Sequence, residues 1–254
     1  MHEHTIIEEF TRQAETFNAA AVANAPGMLE ALIELAEPAP DERWLEAACG
    51  PGIVSRALAP RTGSVLGVDA TPAMIEVARR EAAAAGLANT GFATADVTAL
   101  AFPDGEFDGA IARFALHHIP VPGRALVELA RVVRPGGKVI LADHIADEDA
   151  AGMAWSQEIE RLRDPSHWAA LTVGRLRELG AKAGLELEAE HLLPLLLDFD
   201  DWLARGSGGA QGGALVERAL VDRPGGTESF RVRTRDDGSR VLELRLWLAR
   251  WRRR

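Results

Sequence analysis

A turn of small residues follows the first strongly apolar run of the chain. The run Trp44 to Ala47 leads into Gly50-Pro51-Gly52, and a second apolar run, SVLGVD, ends in Asp69. A strand, a glycine turn, a helix and a second strand that ends in a carboxylate form the first half of a nucleoside-binding βαβ unit. Glycine lets the backbone approach a ligand closely, and a carboxylate accepts hydrogen bonds from both ribose hydroxyls. The pattern predicts a nucleoside-bearing ligand.

Strand-like and helix-like segments alternate from residue 43 to about residue 195, which is typical of a parallel sheet covered by helices. Farther along, two strand-like runs flank Asp236-Asp237-Gly238, a hairpin signal. We predict an α/β fold: a doubly wound, Rossmann-like, seven-stranded, mostly parallel sheet with helices on both faces, an N-terminal helical lid and C-terminal antiparallel additions. The first six strands are expected near 43–49, 64–69, 90–96, 107–114, 137–144 and 185–193.

Helix signals divide these strands. Thr71 and Pro72 predict a helix start and Gly86 its end. The next predicted helix stops at Pro135-Gly136-Gly137, and the glycine-rich stretch 206–213 predicts a mobile segment. That helix carries an apolar stripe with helical spacing: Leu126, Leu129, Ala130 and Val133.

A polar-apolar helix is predicted over roughly residues 5–24. Ile6, Phe10, Ala14 and Phe17 share one face of it. Two interpretations stay open: a lid over the ligand, or a cover for the sheet edge. No shift in composition divides the chain, so we predict one domain over 1–254, with an N-terminal cap (1–42), a cofactor-binding core (43–145) and an acceptor-site region (146–254).

Charge and cysteine content exclude several classes of protein. The 254 residues carry a formal net charge of −10, which argues against a nucleic-acid-binding surface. A single cysteine, Cys49, excludes an internal disulfide framework. The first residues carry acids where a signal peptide needs basic and apolar segments, and no apolar run approaches the ~20 residues that span a bilayer. We therefore predict a cytoplasmic protein without membrane or nucleic-acid partners.

Three acids follow successive predicted strands and narrow the choice of ligand. Glu46, Asp69 and Asp96 fall on the sheet edge where α/β folds bind ligands. The dinucleotide fingerprint G-x-G-x-x-G is incomplete, because Ser55 replaces its third glycine. The acids suit a ligand with a ribose, an adenine and a positive charge, and would repel a diphosphate. A nicotinamide dehydrogenase is the minor alternative.

Four motifs in order resemble the class I S-adenosylmethionine-dependent methyltransferases, and within them the small-molecule group called type 11 or UbiE-like. The resemblance covers roughly residues 10–145. Its motifs are LEAACGPG, VLGVDATPAMIEVAR, ATADVTALAFPDGEFD and ARFALHHIPVPGRALVELARVVRPGGKVILAD. The resemblance implies S-adenosyl-L-methionine as cofactor and methyl transfer to an oxygen or carbon of a small organic acceptor.

The same resemblance assigns cofactor contacts by position in the motifs. Ala48 and Glu46 depart from the family, which usually has Gly at the first position and often Asp at the second. The implied contacts are Glu46, Ala48, Gly50 and Gly52 for the methionine portion, Asp69 for the ribose, Ala70 and Met74 for the faces of the adenine, Asp96 and Val97 for its amine, and Arg113 and Phe114 for the sulfonium.

Candidates for acid-base chemistry follow the fourth and fifth strands: His117 and His118, then Asp143 and His144. Histidine titrates near neutrality, which suits a general base for a phenol, enol or hydroxyl acceptor. The alternative is that the histidine pair only shapes the cofactor pocket. Adjacent histidines on a strand point in opposite directions and lack the i, i+4 spacing of a helical zinc site, so we predict no metal.

A second cluster, ERLRDPSHW, follows the fifth strand. Arg163 and His167 could orient an acidic or phenolic acceptor, or Asp164-Pro165-Ser166 is only a turn with His167 at the surface. Phe199 and Trp202 are candidates to close over an apolar acceptor. Besides a methyltransferase, the sequence is compatible with a cofactor-retaining cyclase or a non-catalytic cofactor-binding partner, and with a monomer or a homodimer.

Overall fold

The computed structural model describes the backbone of residues 2–19 and 26–254 and the side chains of residues 4–15 and 27–254. The side chain of Phe17 and residues 20–25, which end the predicted first helix, lie outside the described parts. The described helices are α1 (His2–Ala19), α2 (Pro26–Ala36), α3 (Ile53–Leu58), α4 (Pro72–Ala84), α5 (Pro122–Val132), α6 (Ala150–Arg163), α7 (Val173–Lys182), α8 (Phe199–Arg205) and α9 (Gly209–Asp222). The described strands are β1 (Arg43–Ala47), β2 (Ser64–Asp69), β3 (Thr90–Thr94), β4 (Phe107–Arg113), β5 (Val133–His144), β6 (Leu185–Asp198), β7 (Phe230–Thr234) and β8 (Arg240–Arg253).

The described strands form one sheet. Seven of those strands follow the order β3-β2-β1-β4-β5-β8-β6, and β7 pairs with β8 beside this path. Strands β1 to β5 are parallel, whereas β8 runs antiparallel to β5, β6 and β7. This confirms the predicted α/β sheet with C-terminal antiparallel additions, including the hairpin of β7 and β8.

The strand order reverses between β1 and β4. From β1 the chain moves outward to β2 and β3, and it then returns to place β4 on the other side of β1. At such a switch point the connections leave toward opposite sides, so a crevice opens at the carboxyl ends of the two central strands. The ends of β1, β2 and β4 therefore define where a ligand site is expected.

Apolar side chains fill both faces of the central strands. Leu45 packs in one buried cluster with Leu126 of α5, and its neighbour Trp44 packs in the other with Leu32 of α2. This alternation follows from the two-residue period of a strand. Gly109 on β4 leaves room for the Trp44 ring, since a Cβ there would lie 2.6 Å from it.

The sheet has eight described strands where seven were predicted, and β6 continues five residues farther than predicted, to Asp198. Two further segments differ from the sequence prediction. Helix α5 ends at Val132 and β5 begins at Val133, four residues earlier than predicted, through an irregular register before Lys138. The glycine-rich stretch predicted to be mobile is helical from Gly209. Its glycines serve packing, because a Cβ at Gly212 would lie 2.3 Å from the Leu162 carbonyl oxygen. Among the described helices, none combines the length and apolar character needed to cross a membrane.

Candidate active site

The turn after β1 is held against the end of β2 by the Asp69 carboxylate. The Gly50 N–H donates to Oδ2 of Asp69 (2.9 Å), and the Thr71 N–H donates to Oδ1 (2.8 Å). Gly50 and Ala48 both have φ of 51°, in the left-handed region. Each carboxylate oxygen keeps a second lone pair, so the carboxylate is fixed in place and can still accept hydrogen bonds from a ligand.

A first cavity of about 280 Å³ opens at this turn, and we call it the donor cavity. Ten of the eleven predicted cofactor contacts line it: Glu46, Ala48, Gly50, Asp69, Ala70, Met74, Asp96, Val97, Arg113 and Phe114. The sequence prediction missed further lining residues, which are Cys49, Pro51, Ile53, Thr98, Ala115, Ile119, Pro120 and Val121. Ile6 and Phe10 of α1 complete the wall.

Gly52 is the exception among the predicted cofactor contacts. It precedes α3 with φ of 75°, and a Cβ there would lie 2.8 Å from the Phe92 ring. Gly52 therefore permits a left-handed turn and close packing against the β3 side. Gly52 does not line the donor cavity, and its contact with the cofactor stays a prediction.

Glu46 carries a buried carboxyl at the end of β1. Its Oε2 accepts hydrogen bonds from the backbone N–H (2.7 Å) and the hydroxyl (2.5 Å) of Ser55. Burial raises the pKa of Glu46 to about 7, although the Ser55 hydrogen bonds and the Arg113 charge oppose the shift. Burial also raises the pKa of Asp69, against the backbone hydrogen bonds from Thr71 and Gly50. The cavity thus holds a carboxyl whose charge changes near neutrality.

A second cavity of about 90 Å³ adjoins the first, and we call it the acceptor cavity. Phe10, Phe114 and His118 line both cavities. Phe114 has a φ of 52°, which is an unusual conformation for an aromatic residue. At this residue the chain passes between the donor and acceptor cavities. The other lining residues are Gln13, His117, His144, Glu160, Arg163, Asp164, His167, Leu195, Leu197, Trp202, Arg205 and Leu244.

The described histidines at this cavity converge from three segments. His117 and His118 lie on a 3-10 turn, Leu116–His118, and not on a strand. The carbonyl oxygen of His117 accepts the N–H of Trp168 (2.8 Å), which draws the loop after α6 onto this turn. The ring centroid of His117 consequently lies 4.1 Å from that of His144 and 5.6 Å from that of His167. The prediction that His117 and His118 lie on a strand and point in opposite directions is therefore wrong.

Asp143 lies behind this cluster and outside both cavity walls. Its Oδ1 is 2.6 Å from Nδ1 of His117 and accepts the His144 N–H at 3.0 Å. The side chain is buried, and burial raises its pKa. Asp143, a predicted catalytic candidate, therefore contacts His117, and its catalytic role stays a prediction.

The ERLRDPSHW cluster forms a turn and also builds the acceptor cavity. Asp164 Oδ1 accepts the Ser166 N–H (2.9 Å), which confirms the turn. His167 is 3% exposed and lines the cavity, so its surface placement is wrong. Trp202 lines the same cavity under the Arg163 guanidinium, 4.9 Å from its ring centroid, whereas Phe199 is fully buried in the core.

Burial changes the pKa values of the histidines in the acceptor cavity and of Glu160. Desolvation lowers the pKa of His117, His118 and His167, and it lowers that of His144 to about 3. These imidazoles are therefore neutral at pH 7, and each has one ring nitrogen whose lone pair can accept a hydrogen bond or bind a metal. Burial also raises the pKa of Glu160 to about 7.

Comparisons with known proteins agree with this geometry. Residues 45–141 match a family model described as a methyltransferase domain. The uncharacterized methyltransferase YcgJ of Bacillus subtilis is 32% identical over 197 residues, which are 78% of each chain. Its crystal structure superposes with a TM-score of 0.82 and 28% identity, and the match covers 90% of this chain and 98% of that chain.

Two further relatives match about half of the chain. A demethylmenaquinone methyltransferase of Clavibacter sepedonicus is 38% identical over 106 residues, 42% of each chain. Aklanonic acid methyltransferase DauC of a Streptomyces species is 30% identical over 137 residues, 53% of this chain and 62% of that one. The chain belongs to the methyltransferase family and is an S-adenosylmethionine-dependent enzyme.

Proposed function

We propose that the enzyme transfers the S-adenosylmethionine methyl group to an oxygen or carbon of a small organic acceptor held in the acceptor cavity. The bond from sulfur to the methyl carbon breaks as the new bond forms, and S-adenosylhomocysteine remains. The acceptor loses one proton to the protein. The main support for this proposal is that the donor and acceptor cavities meet at Phe10, Phe114 and His118.

The donor cavity suits an adenosyl cation through its carboxyl groups. Asp69 offers two oxygens that are fixed by backbone N–H groups at the end of β2, which suits the two ribose hydroxyls. Glu46 is buried at the end of β1, and its carboxylate would accept hydrogen bonds from the ammonium group of the methionine portion. Asp96, whose Oδ1 accepts the Thr98 N–H at 2.8 Å, lies at the opening for the adenine amine. We assign these residues to donor binding.

His118 is our candidate for the general base. Its Nδ1 lies 3.0 Å from the Ser166 carbonyl oxygen, which can only accept, so the ring carries its proton on Nδ1. The lone pair is then on Nε2, and burial lowers the pKa of this ring. A neutral imidazole at the junction of the cavities is suited to take the acceptor proton as the methyl group arrives.

The walls of the acceptor cavity define the acceptor class. Leu195, Leu197 and Trp202 supply an apolar surface. Arg163 and Arg205 bring positive charge to the wall, and Asp164 pairs with Arg163 at 3.5 Å. A compact, largely apolar molecule with an acidic or phenolic oxygen fits this combination. The names of two relatives, which refer to demethylmenaquinone and aklanonic acid, agree with an acceptor that carries oxygen.

The test is incubation with S-adenosylmethionine labelled in the methyl group and a panel of phenolic, enolic and quinol acceptors. Label in the acceptor with stoichiometric S-adenosylhomocysteine supports the proposal. A ring-closed product without label would instead indicate a cofactor-retaining cyclase. Calorimetric cofactor binding without turnover on any acceptor would indicate a binding partner, and either result would overturn the proposed transfer.

A further inference from the structure

Three histidines of the acceptor cavity bring nitrogen atoms to one place. One ligand atom from each of His117, His144 and His167 lies within 4.8 Å of the other two. The three come from the turn after β4, the end of β5 and the loop after α6. Such convergence of imidazoles from separate segments is unusual for a packing role, because each buried ring nitrogen requires a hydrogen-bond partner.

The proton of His117 is placed by Asp143. The carboxylate also accepts the backbone N–H groups of His117 (3.3 Å) and His144 (3.0 Å), so it is an acceptor at this position. Nδ1 of His117 therefore donates to it at 2.6 Å, and the lone pair lies on Nε2. A carboxylate that fixes a histidine in this way is the usual support of a metal-bound imidazole.

The proton of His167 is placed by Gln157. The Gln157 amide is oriented by Ala170, because its Nε2 donates to the Ala170 carbonyl (2.8 Å) and its Oε1 accepts the Ala170 N–H (3.1 Å). Oε1 must then also accept from Nε2 of His167, at 2.6 Å. Since that nitrogen carries the proton, the lone pair of His167 lies on Nδ1.

His144 supplies the third nitrogen. Its Nε2 is buried and has no hydrogen-bond partner among the described residues. A buried polar atom without a partner costs about 1–3 kcal/mol, so its retention beside two other oriented rings calls for a ligand. The unpartnered nitrogen of His144 and the two fixed tautomers are independent observations, and one ring nitrogen of each of the three residues lies within 4.8 Å of the other two.

We propose that His117, His144 and His167 bind a Zn²⁺ ion at the wall of the acceptor cavity. Three neutral imidazoles are the protein ligands of one type of catalytic zinc site, with a fourth position left open. Oxygen-preferring ions such as Mg²⁺ and Ca²⁺ are disfavoured by an all-nitrogen set. Nitrogens bound at about 2.0–2.1 Å to tetrahedral zinc lie ~3.3 Å apart, so each ring has to shift on the order of 1 Å.

A zinc ion at this site would contribute to the proposed reaction. An ion held by these nitrogens would border the acceptor cavity, because all three rings line that cavity. An acceptor oxygen bound there would be polarised and would lose its proton more readily, with His118 at the junction to receive it. This use rests on the proposed methyl transfer, whereas zinc binding itself does not.

Zinc binding is tested on the full chain after removal of bound metals with a chelator. We expect one equivalent of Zn²⁺ to bind in competition with a chromophoric indicator, and Co²⁺ to give the intense visible absorption of a tetrahedral site. His144→Ala should abolish stoichiometric binding, and Asp143→Asn should weaken it about 10–100-fold. The matched control is His191→Ala, since His191 is exposed and outside both cavities.

The outcomes separate this inference from the proposed function. Absence of stoichiometric zinc binding by the unmodified protein would overturn the zinc site, even if methyl transfer is observed. Zinc binding that survives His144→Ala would also overturn it. Calorimetric titration with S-adenosylmethionine shows whether each variant is folded, because that ligand occupies the other cavity. Zinc bound and lost as expected supports the site even if no acceptor is methylated.

Discussion

The donor and acceptor cavities are neighbours but are built from different kinds of sequence. The donor cavity takes most of its wall from the ends of β1, β2 and β4 and the turns that follow them. The acceptor cavity combines segments as distant as Phe10 and Leu244. The family match ends at residue 141, so His144, Arg163 and His167 all lie beyond it.

This difference indicates that separate parts of the fold form the two cavities. The family match covers the strand ends and turns that line the donor cavity, and the parallel sheet fixes their positions relative to one another. The acceptor wall depends on α1, the loop after α6 and the antiparallel strands, which can change without altering the sheet. We therefore expect changes in the two cavities to have separable effects on cofactor affinity and on turnover.

The largest expected effect is that of His118→Gln. Loss of the general base should lower kcat by about 10²–10⁴-fold, while cofactor affinity changes little. Steady-state kinetics on a methylated acceptor and calorimetry with S-adenosylmethionine measure the two effects. His191→Gln serves as the control at an exposed position. An unchanged kcat would remove His118 from the proton transfer and place the chemistry on the other rings.

Asp69→Ala should act on the donor side alone. Loss of two hydrogen bonds to a charged group, at about 1.5–3 kcal/mol each, corresponds to at least ~100-fold weaker cofactor binding. Calorimetric titration measures it, and Asp41→Ala is the control on an exposed acid. Zinc binding should be unaffected. Retained cofactor affinity would contradict the assignment of Asp69 to the ribose.

Glu46 should make cofactor binding depend on pH. Its pKa is about 7 without cofactor, and the charged form is the one that attracts an ammonium group. Affinity should therefore rise up to ~10-fold per pH unit below pH 7 and level off above it. Because the folded-state pKa exceeds the ordinary 4.5, the free energy of unfolding without cofactor should fall as pH rises from 4.5 to about 7.

The variant Glu46→Gln tests both slopes. It should flatten the affinity profile and remove this residue's contribution to the pH dependence of urea unfolding. Glu34→Gln, on α2 and outside both cavities, should leave the two profiles as they are. If the affinity slope persists in Glu46→Gln, another group carries the charge that binds the cofactor.

Ala48→Gly should have the smallest effect. A left-handed residue other than glycine costs ~1–2 kcal/mol, and the glycine gain is reduced by about 0.5–1 kcal/mol of unfolded-chain entropy. We expect an increase of at most about 1.5 kcal/mol in the free energy of unfolding, measured in urea. Ala57→Gly inside α3 should instead lose ~1 kcal/mol. A clear loss of stability in Ala48→Gly would contradict the strain argument.

The sequence was sufficient for the parallel part of the sheet and for ten residues of the donor wall, because strand, turn and acid at Glu46 and Asp69 are local patterns. It could not distinguish Gly52, since a glycine needed for packing against Phe92 resembles one needed for a ligand. The histidine cluster also escaped local analysis. His117 and His167 are joined through a backbone hydrogen bond between Trp168 and His117, which no spacing rule predicts.

The shared wall also bears on how the two ligands enter and leave. Phe10 packs edge-on against His118, with ring centroids 4.9 Å apart, and α1 is further held to α4 by an exposed ion pair between Glu15 and Arg80. Exposed ion pairs contribute little and weaken with salt. Because Phe10 lines both cavities, a displacement of α1 would open the two walls together.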